Sequence, residues 1–180
     1  MKKILLFTLL LTSLYSDSKI YVGTSYGAYD EQFTGTLDAQ SSSETVNIKV
    51  GYGDRKAYAV EFSVNRSETE SKIFSNNDGI KYSINIELIK AFDFGIYINP
   101  FIKAGFGAGS MKIERELQNR LAFGSFNLGF GTFIPINDYF DLELGYNYKQ
   151  ISYETITYIS QRISYESDVN TVYAGFNVRF

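Results

Sequence analysis

From Ile20 to the last residue, apolar side chains recur at every second position in segments about ten residues long, the period of a strand with one greasy and one polar face. Eight segments show it. The first, Ile20–Tyr29, sets Ile20, Val22, Thr24, Tyr26 and Ala28 against Tyr21, Gly23, Ser25 and Gly27. The second sets Val46, Ile48, Val50 and Tyr52 against Asn47, Lys49, Gly51 and Gly53; the third sets Tyr58, Val60, Phe62 and Val64 against Ala59, Glu61, Ser63 and Asn65. Folding these two antiparallel about Arg55 brings Tyr52 to Tyr58, Val50 to Val60 and Lys49 to Glu61, so both faces agree in one register. The fourth segment spans Ile80–Leu88, and a turn follows near Phe92-Asp93-Phe94-Gly95. In the fifth, Ile98–Gly107, Pro100 has no N–H for a ladder and predicts a bulge or strand end. The sixth, Ser125–Thr132, folds about Asn137 onto the seventh, Phe140–Lys149, pairing Thr132 with Leu142 and Gly131 with Glu143. The eighth is Thr171–Phe180.

The connections alternate in length. Short turns fall at 54–56, 91–95 and 135–139, and long loops at 30–44, 66–79, 109–122 and 152–167. Glycines 23, 51, 105, 107, 129, 131, 145 and 175 all lie on the polar face, beside Lys49, Glu61, Glu87, Lys103, Glu143 and Arg179. A water-facing surface has no steric need for glycine, whereas a narrow barrel interior shared with long charged side chains does. The polar face is therefore assigned to the interior, with those six residues as candidate lumen ion pairs. Lys81, Lys149 and Asp141 join them in a nearly balanced set, as buried charges require. The apolar face carries no charge over the centre of any segment. Tyr52, Tyr58, Tyr139 and Phe180 flank it near the short turns, and Tyr26, Tyr82, Tyr146 and Tyr148 flank the other end, as in interfacial girdles. A soluble lipocalin-like periplasmic barrel alternates in the same way and stands as an alternative.

Lys2 and Lys3 precede an apolar run, Ile4 to Leu11, with small residues after it, which predicts a signal peptide over 1–16 and a barrel domain over 17–180. The run is too short to span a bilayer as a helix. The 180 residues include no Cys and no His, which removes disulfides, the usual zinc ligands and the usual base of a nucleophile triad. A net charge of −3 gives no basic excess for a phosphate backbone, so nucleic-acid binding is not expected. No cofactor, metal or catalytic residue is predicted.

With the terminal run Tyr173-Ala174-Gly175-Phe176-Asn177-Val178-Arg179-Phe180, the pattern resembles the small outer-membrane barrels of the OmpA-transmembrane, OmpX and opacity-protein type. The resemblance covers the whole chain after the leader. It implies an all-β fold, an eight-stranded antiparallel up-and-down transmembrane β-barrel, monomeric, in outer-membrane lipid. Phe176, Val178 and Phe180 are similar to the signal that the barrel-assembly machinery reads in that family, and the charged lumen residues to its plug of ion pairs. Enzymes of this architecture depend on a catalytic His, so no enzyme is implied. The resemblance to full-length OmpA stops at the barrel, and peptidoglycan tethering is not expected. What remains is a structural or surface-interaction (adhesin-like) role through extracellular loops, with a host or cell-surface partner and a non-conducting interior; a small pore is the alternative, which eight strands leave little room for. Counting Asp168 just beyond the last of them, the loops carry twice as many acidic as basic residues. From Ile151 to Tyr165 the β propensity stays high, which predicts a protruding hairpin reversing near Ser160-Gln161.

Overall fold

A computed structural model describes residues 18–34, 39–68, 79–113, 120–158, 161–163 and 165–180. The leader lies outside them. The described residues form ten strands: β1 (Lys19–Thr34), β2 (Ala39–Gly53), β3 (Tyr58–Glu68), β4 (Ile80–Ala91), β5 (Asn99–Lys112), β6 (Arg120–Pro135), β7 (Phe140–Tyr153), β8 (Ile156–Tyr158), β9 (Gln161–Ile163) and β10 (Glu166–Arg179). Each barrel strand pairs antiparallel with its neighbours in sequence, and β1 closes on β10 from Tyr21↔Arg179 to Thr34↔Glu166. The result is a closed eight-stranded barrel of β1–β7 and β10. The strands β8 and β9 form a separate hairpin, paired from Ile156↔Ile163 to Tyr158↔Gln161.

The faces fall as the alternation predicts, but the register does not. Val50 pairs with Phe62, Lys49 with Ser63 and Gly51 with Glu61. In the other hairpin, Thr132 pairs with Leu144 and Gly131 with Gly145. Both are offset by two residues from the pairing read from the sequence. A shift of two keeps every side chain on its face, so the hydrophobic pattern is blind to it, and the turns decide. In the first turn the Lys56 N–H donates to Asp54 Oδ1 at 2.8 Å and the Ala57 N–H to the Asp54 carbonyl at 3.2 Å, moving the centre of symmetry from Arg55 to Lys56. In the second, Asn137 Oδ1 accepts the N–H groups of Tyr139 and Phe140 at 2.8 and 3.0 Å, and the centre moves to Asp138. Pro100 is the second residue of β5, just before its pairing with β4 begins at Phe101↔Ala91, so it marks the strand end.

Seven of the eight barrel strands, at 12 to 16 residues, exceed the roughly 9–11 that cross a bilayer, and β3 reaches the upper end of that range with 11. The excess lies on the long-loop side, and the outward side chains locate the boundary. On β1 they run Ile20, Val22, Thr24, Tyr26 and then Asp30 and Gln32; on β10 they run back from Val178, Phe176 and Val172 to Asn170, Asp168 and Glu166. Past that boundary the interior changes in the opposite sense. Tyr29, Phe33, Met111, Ile113, Leu121, Phe123, Ile151, Tyr153, Tyr165 and Val169 are buried together inside the projecting section. Above an apolar base at the short-turn end, the barrel is thus apolar outside and polar inside within the lipid, and polar outside and largely apolar inside beyond it. The loops predicted at 30–44 and 152–167 are largely strand. Near the short turns, Lys90 lies over the Tyr58 ring at 4.0 Å and Lys19 over Tyr139 at 5.2 Å, where an interfacial belt belongs.

Candidate functional site: the lumen and the projecting cap

The lumen is built in layers. At the short-turn end, Tyr21, Ala59, Ile89, Ala91, Phe101 and Phe133 form an apolar base. Arg179 lies across it, 4.7 Å from the Tyr21 ring, and pairs with Asp141. Arg55 reaches in from the β2–β3 turn, donating to Asp141 Oδ1 and to the Asn137 carbonyl, both at 2.8 Å.

Above the base, Lys49 sits between two carboxylates, 3.3 Å from Glu61 and in contact with Glu143. Lys49 reaches Glu61 diagonally, because the residue opposite Glu61 is Gly51, which has no side chain in the way. Tyr21 stands opposite Gly51 on the other flank and fills the space, its hydroxyl donating to Glu61 at 2.9 Å. The same device recurs at Gly145: Tyr173 lies opposite it and donates to Glu143 at 2.9 Å. Asn177 Nδ2 adds a further donor to Glu143 at 2.9 Å. Lys103 pairs with Glu87 at 3.1 Å. Each of the six candidate lumen residues therefore has an oppositely charged neighbour, though Arg179 pairs with Asp141 and stands apart from the other five.

Four participants were not read from the sequence. Glu31, assigned there to a loop, is fully buried on β1, where it pairs with Lys81 and accepts the Ser167 hydroxyl at 2.7 Å. Its odd number, in phase with Tyr21 to Tyr29, was the available signal. Arg55 was placed in a turn, and no periodicity marks a turn residue that folds inward. The Tyr21 and Tyr173 hydroxyls are hidden because a tyrosine facing glycine reads as packing alone.

The Lys81 ammonium also lies over the Phe33 and Tyr153 rings, at 4.9 and 5.6 Å, so it joins the polar layers to the apolar cap. The apolar cap and the apolar base lie at the two ends of the polar layers. Outside the cap, the Tyr148 hydroxyl donates to Asp168 and the Ser42 hydroxyl to Asp30, each at 2.5 Å. Phe176 stacks on Phe140 with ring centroids 5.5 Å apart, and Val178 and Phe180 continue the outward apolar face to the chain end. Among the described residues no group of acidic side chains has the arrangement of a metal site.

A barrel closed in this order, with an uncharged outer band, is suited to lipid, and the family comparison decides its class. The family model described as outer membrane protein beta-barrel domain matches residues 4–180. The chain belongs to the outer-membrane β-barrel family. This barrel sits in the bacterial outer membrane, its apolar band in lipid. The solved structure of Neisserial surface protein A is similar at a TM-score of 0.65 and 18% identity, over 92% of this chain and 98% of that one. Ail, the attachment invasion locus protein of Yersinia pestis, gives 0.54 and 16%, over 89% and 98%. OprG from Pseudomonas aeruginosa gives 0.53 and 10%, over 90% and 96%. At these identities the likeness is one of fold. A search of curated protein sequences finds no significant match.

Proposed function

We propose that this outer-membrane barrel is a non-conducting, non-enzymatic scaffold that presents its projecting cap and the β8–β9 hairpin to a host or cell-surface partner. The observation that carries the reading is the hairpin. Its two strands pair with each other and, among the described residues, with no barrel strand, so each keeps an outer edge of unpaired N–H and C=O groups. Such an edge accepts an extended segment of another chain by strand addition. The apolar cap and base support a lumen that passes nothing. Ail is named for attachment and invasion, and it was also crystallised with the heparin analogue sucrose octasulfate, at a TM-score of 0.50 to this chain; surface contact is thus a use to which a barrel of this shape is put. Export by removal of residues 1–16, insertion by the barrel-assembly machinery reading Phe176, Val178 and Phe180, and a monomeric state in lipid belong to the same proposal.

Deleting Thr155–Arg162 and joining the ends with a short turn tests it. The lipid-facing band is untouched, so the variant is expected to fold and to keep the shift in gel mobility on boiling that marks folded barrels. Cell attachment is expected to fall. Unchanged attachment and aggregation by a correctly displayed variant would exclude the adhesive hairpin and leave the scaffold alone. In planar bilayers the purified protein is expected to show no reproducible unit conductance; a steady one would favour the pore.

A further inference from the structure

Between the Glu87–Lys103 pair and the apolar cap the inward positions carry small side chains, Ser25, Ser63 and Ser83 among them, and a cavity of about 70 Å³ opens there. A water molecule needs roughly 10–15 Å³ of such space, so the chamber has room for about five. Asn47 on β2 and Asn147 and Lys149 on β7 point inward yet are only half-buried, because they face it.

The charges of the polar layers balance without an added ion. Lys49, Lys81, Lys103 and Lys149 stand against Glu31, Glu61, Glu87 and Glu143. The contacts, however, are uneven. Lys49 touches two carboxylates, Lys81 pairs with Glu31 and Lys103 with Glu87, whereas among the described residues Lys149 has no carboxylate within ion-pair distance. Its ammonium donates to Asn85 Oδ1 at 3.2 Å, an oxygen that also takes Asn127 Nδ2 at 3.2 Å. Glu87 is the next inward residue along β4. Its Oε2 accepts from Lys103 at 3.1 Å, and its Oε1 is buried with no protein donor. Asn47 Oδ1 and Asn147 Oδ1 are likewise without one, and all three residues line the chamber. The wall therefore needs donors for three oxygens and acceptors for the remaining N–H groups of one ammonium. Water supplies both from one molecule. A further ion of either sign would upset the balance, and a dry chamber would leave these groups unsatisfied at the full cost of burial.

We propose that the chamber binds a cluster of about five water molecules and that one of them bridges the Lys149 ammonium to Glu87 Oε1, joining the fourth lysine to the charge network through solvent. The inference does not rest on the adhesive reading.

High-resolution diffraction from crystals of the detergent-folded protein tests it. Ordered solvent is expected at hydrogen-bonding distance from both the Lys149 ammonium and Glu87 Oε1. A chamber without density, an ion in that place, or a direct contact between Lys149 and Glu87 overturns the proposal. Stability gives a second reading. Ser83→Val sets two methyl groups on the chamber wall, and filling a dry cavity raises the urea midpoint, whereas displacing bridging water lowers it. A lower midpoint is expected, with a smaller drop when Lys149→Met has removed the ammonium that needs the water. A raised midpoint, or the same drop in both backgrounds, overturns the proposal. Should Lys149→Met not fold, diffraction from the wild-type protein still decides the matter.

Discussion

Gly51 and Gly145 show how single residues set the interior. A Cβ on Gly51 would lie 2.2 Å from the Tyr21 ring, so the ring must leave and Glu61 loses its hydroxyl donor. Gly51→Ala is expected to cost about 1–3 kcal/mol, as overpacking does. Gly124, where an added methyl meets nothing within 4 Å, should tolerate alanine within about 0.5 kcal/mol. Urea unfolding in detergent compares the two. Lys49→Met strands two buried carboxylates and is expected to cost about 3–5 kcal/mol, whereas adding Glu61→Gln should restore part of the loss. Strictly additive losses in that cycle would contradict the contact. Outside the membrane, the Gly95 N–H at 2.9 Å and then Lys56 at 3.1 Å hold the Asp93 carboxyl below its ordinary value. A lowered folded value stabilises above the unfolded one and is lost as pH falls through the folded one. Wild type and Asp93→Asn should therefore differ near neutrality and converge in acid, below the usual carboxylate range. A gap that persists there would argue against the turn contact.

At the level of the strand, face assignment was legible because period-2 alternation states it directly, and the Gly-rich polar face of β5 and β6 told inside from outside. Register and strand ends were not. A two-residue slip leaves Val50, Ile48 and Tyr52 on the same face, and only the Asp54 and Asn137 side chains, bonded to their own turns, choose between the pairings. The strand ends were lost because the phase of the pattern inverts. On β1 the alternation of the sequence ends at Tyr29, where Asp30, Glu31 and Gln32 adjoin, yet the strand continues to Thr34 with Tyr29, Glu31 and Phe33 still pointing in. Depth along one strand provides a test. Leu144 faces lipid on β7, so Leu144→Arg is expected to cost about 2–4 kcal/mol. Gln150, on the same outward face but in the cap, should accept arginine within about 0.5 kcal/mol. Equal costs on refolding into lipid vesicles would place the membrane boundary elsewhere.

Across the whole molecule, the lipid-embedded part and the cap are one continuous sheet with two opposite interiors. The cap has the design of a soluble barrel, and its stability is a matter of apolar packing around Phe33, Phe123 and Tyr153. That arrangement places a sulfur atom in a telling position. The chain's two methionines are Met1, in the predicted leader, and Met111, which has no exposed surface in the heart of the cap. Thioether oxidation follows access to the oxidant. In the processed protein, peroxide should spare Met111 while the cap holds and add one oxygen once it opens. The mass of a single peptide then reports whether binding, acid or a substitution has loosened the exposed end of the barrel while the membrane half stays closed.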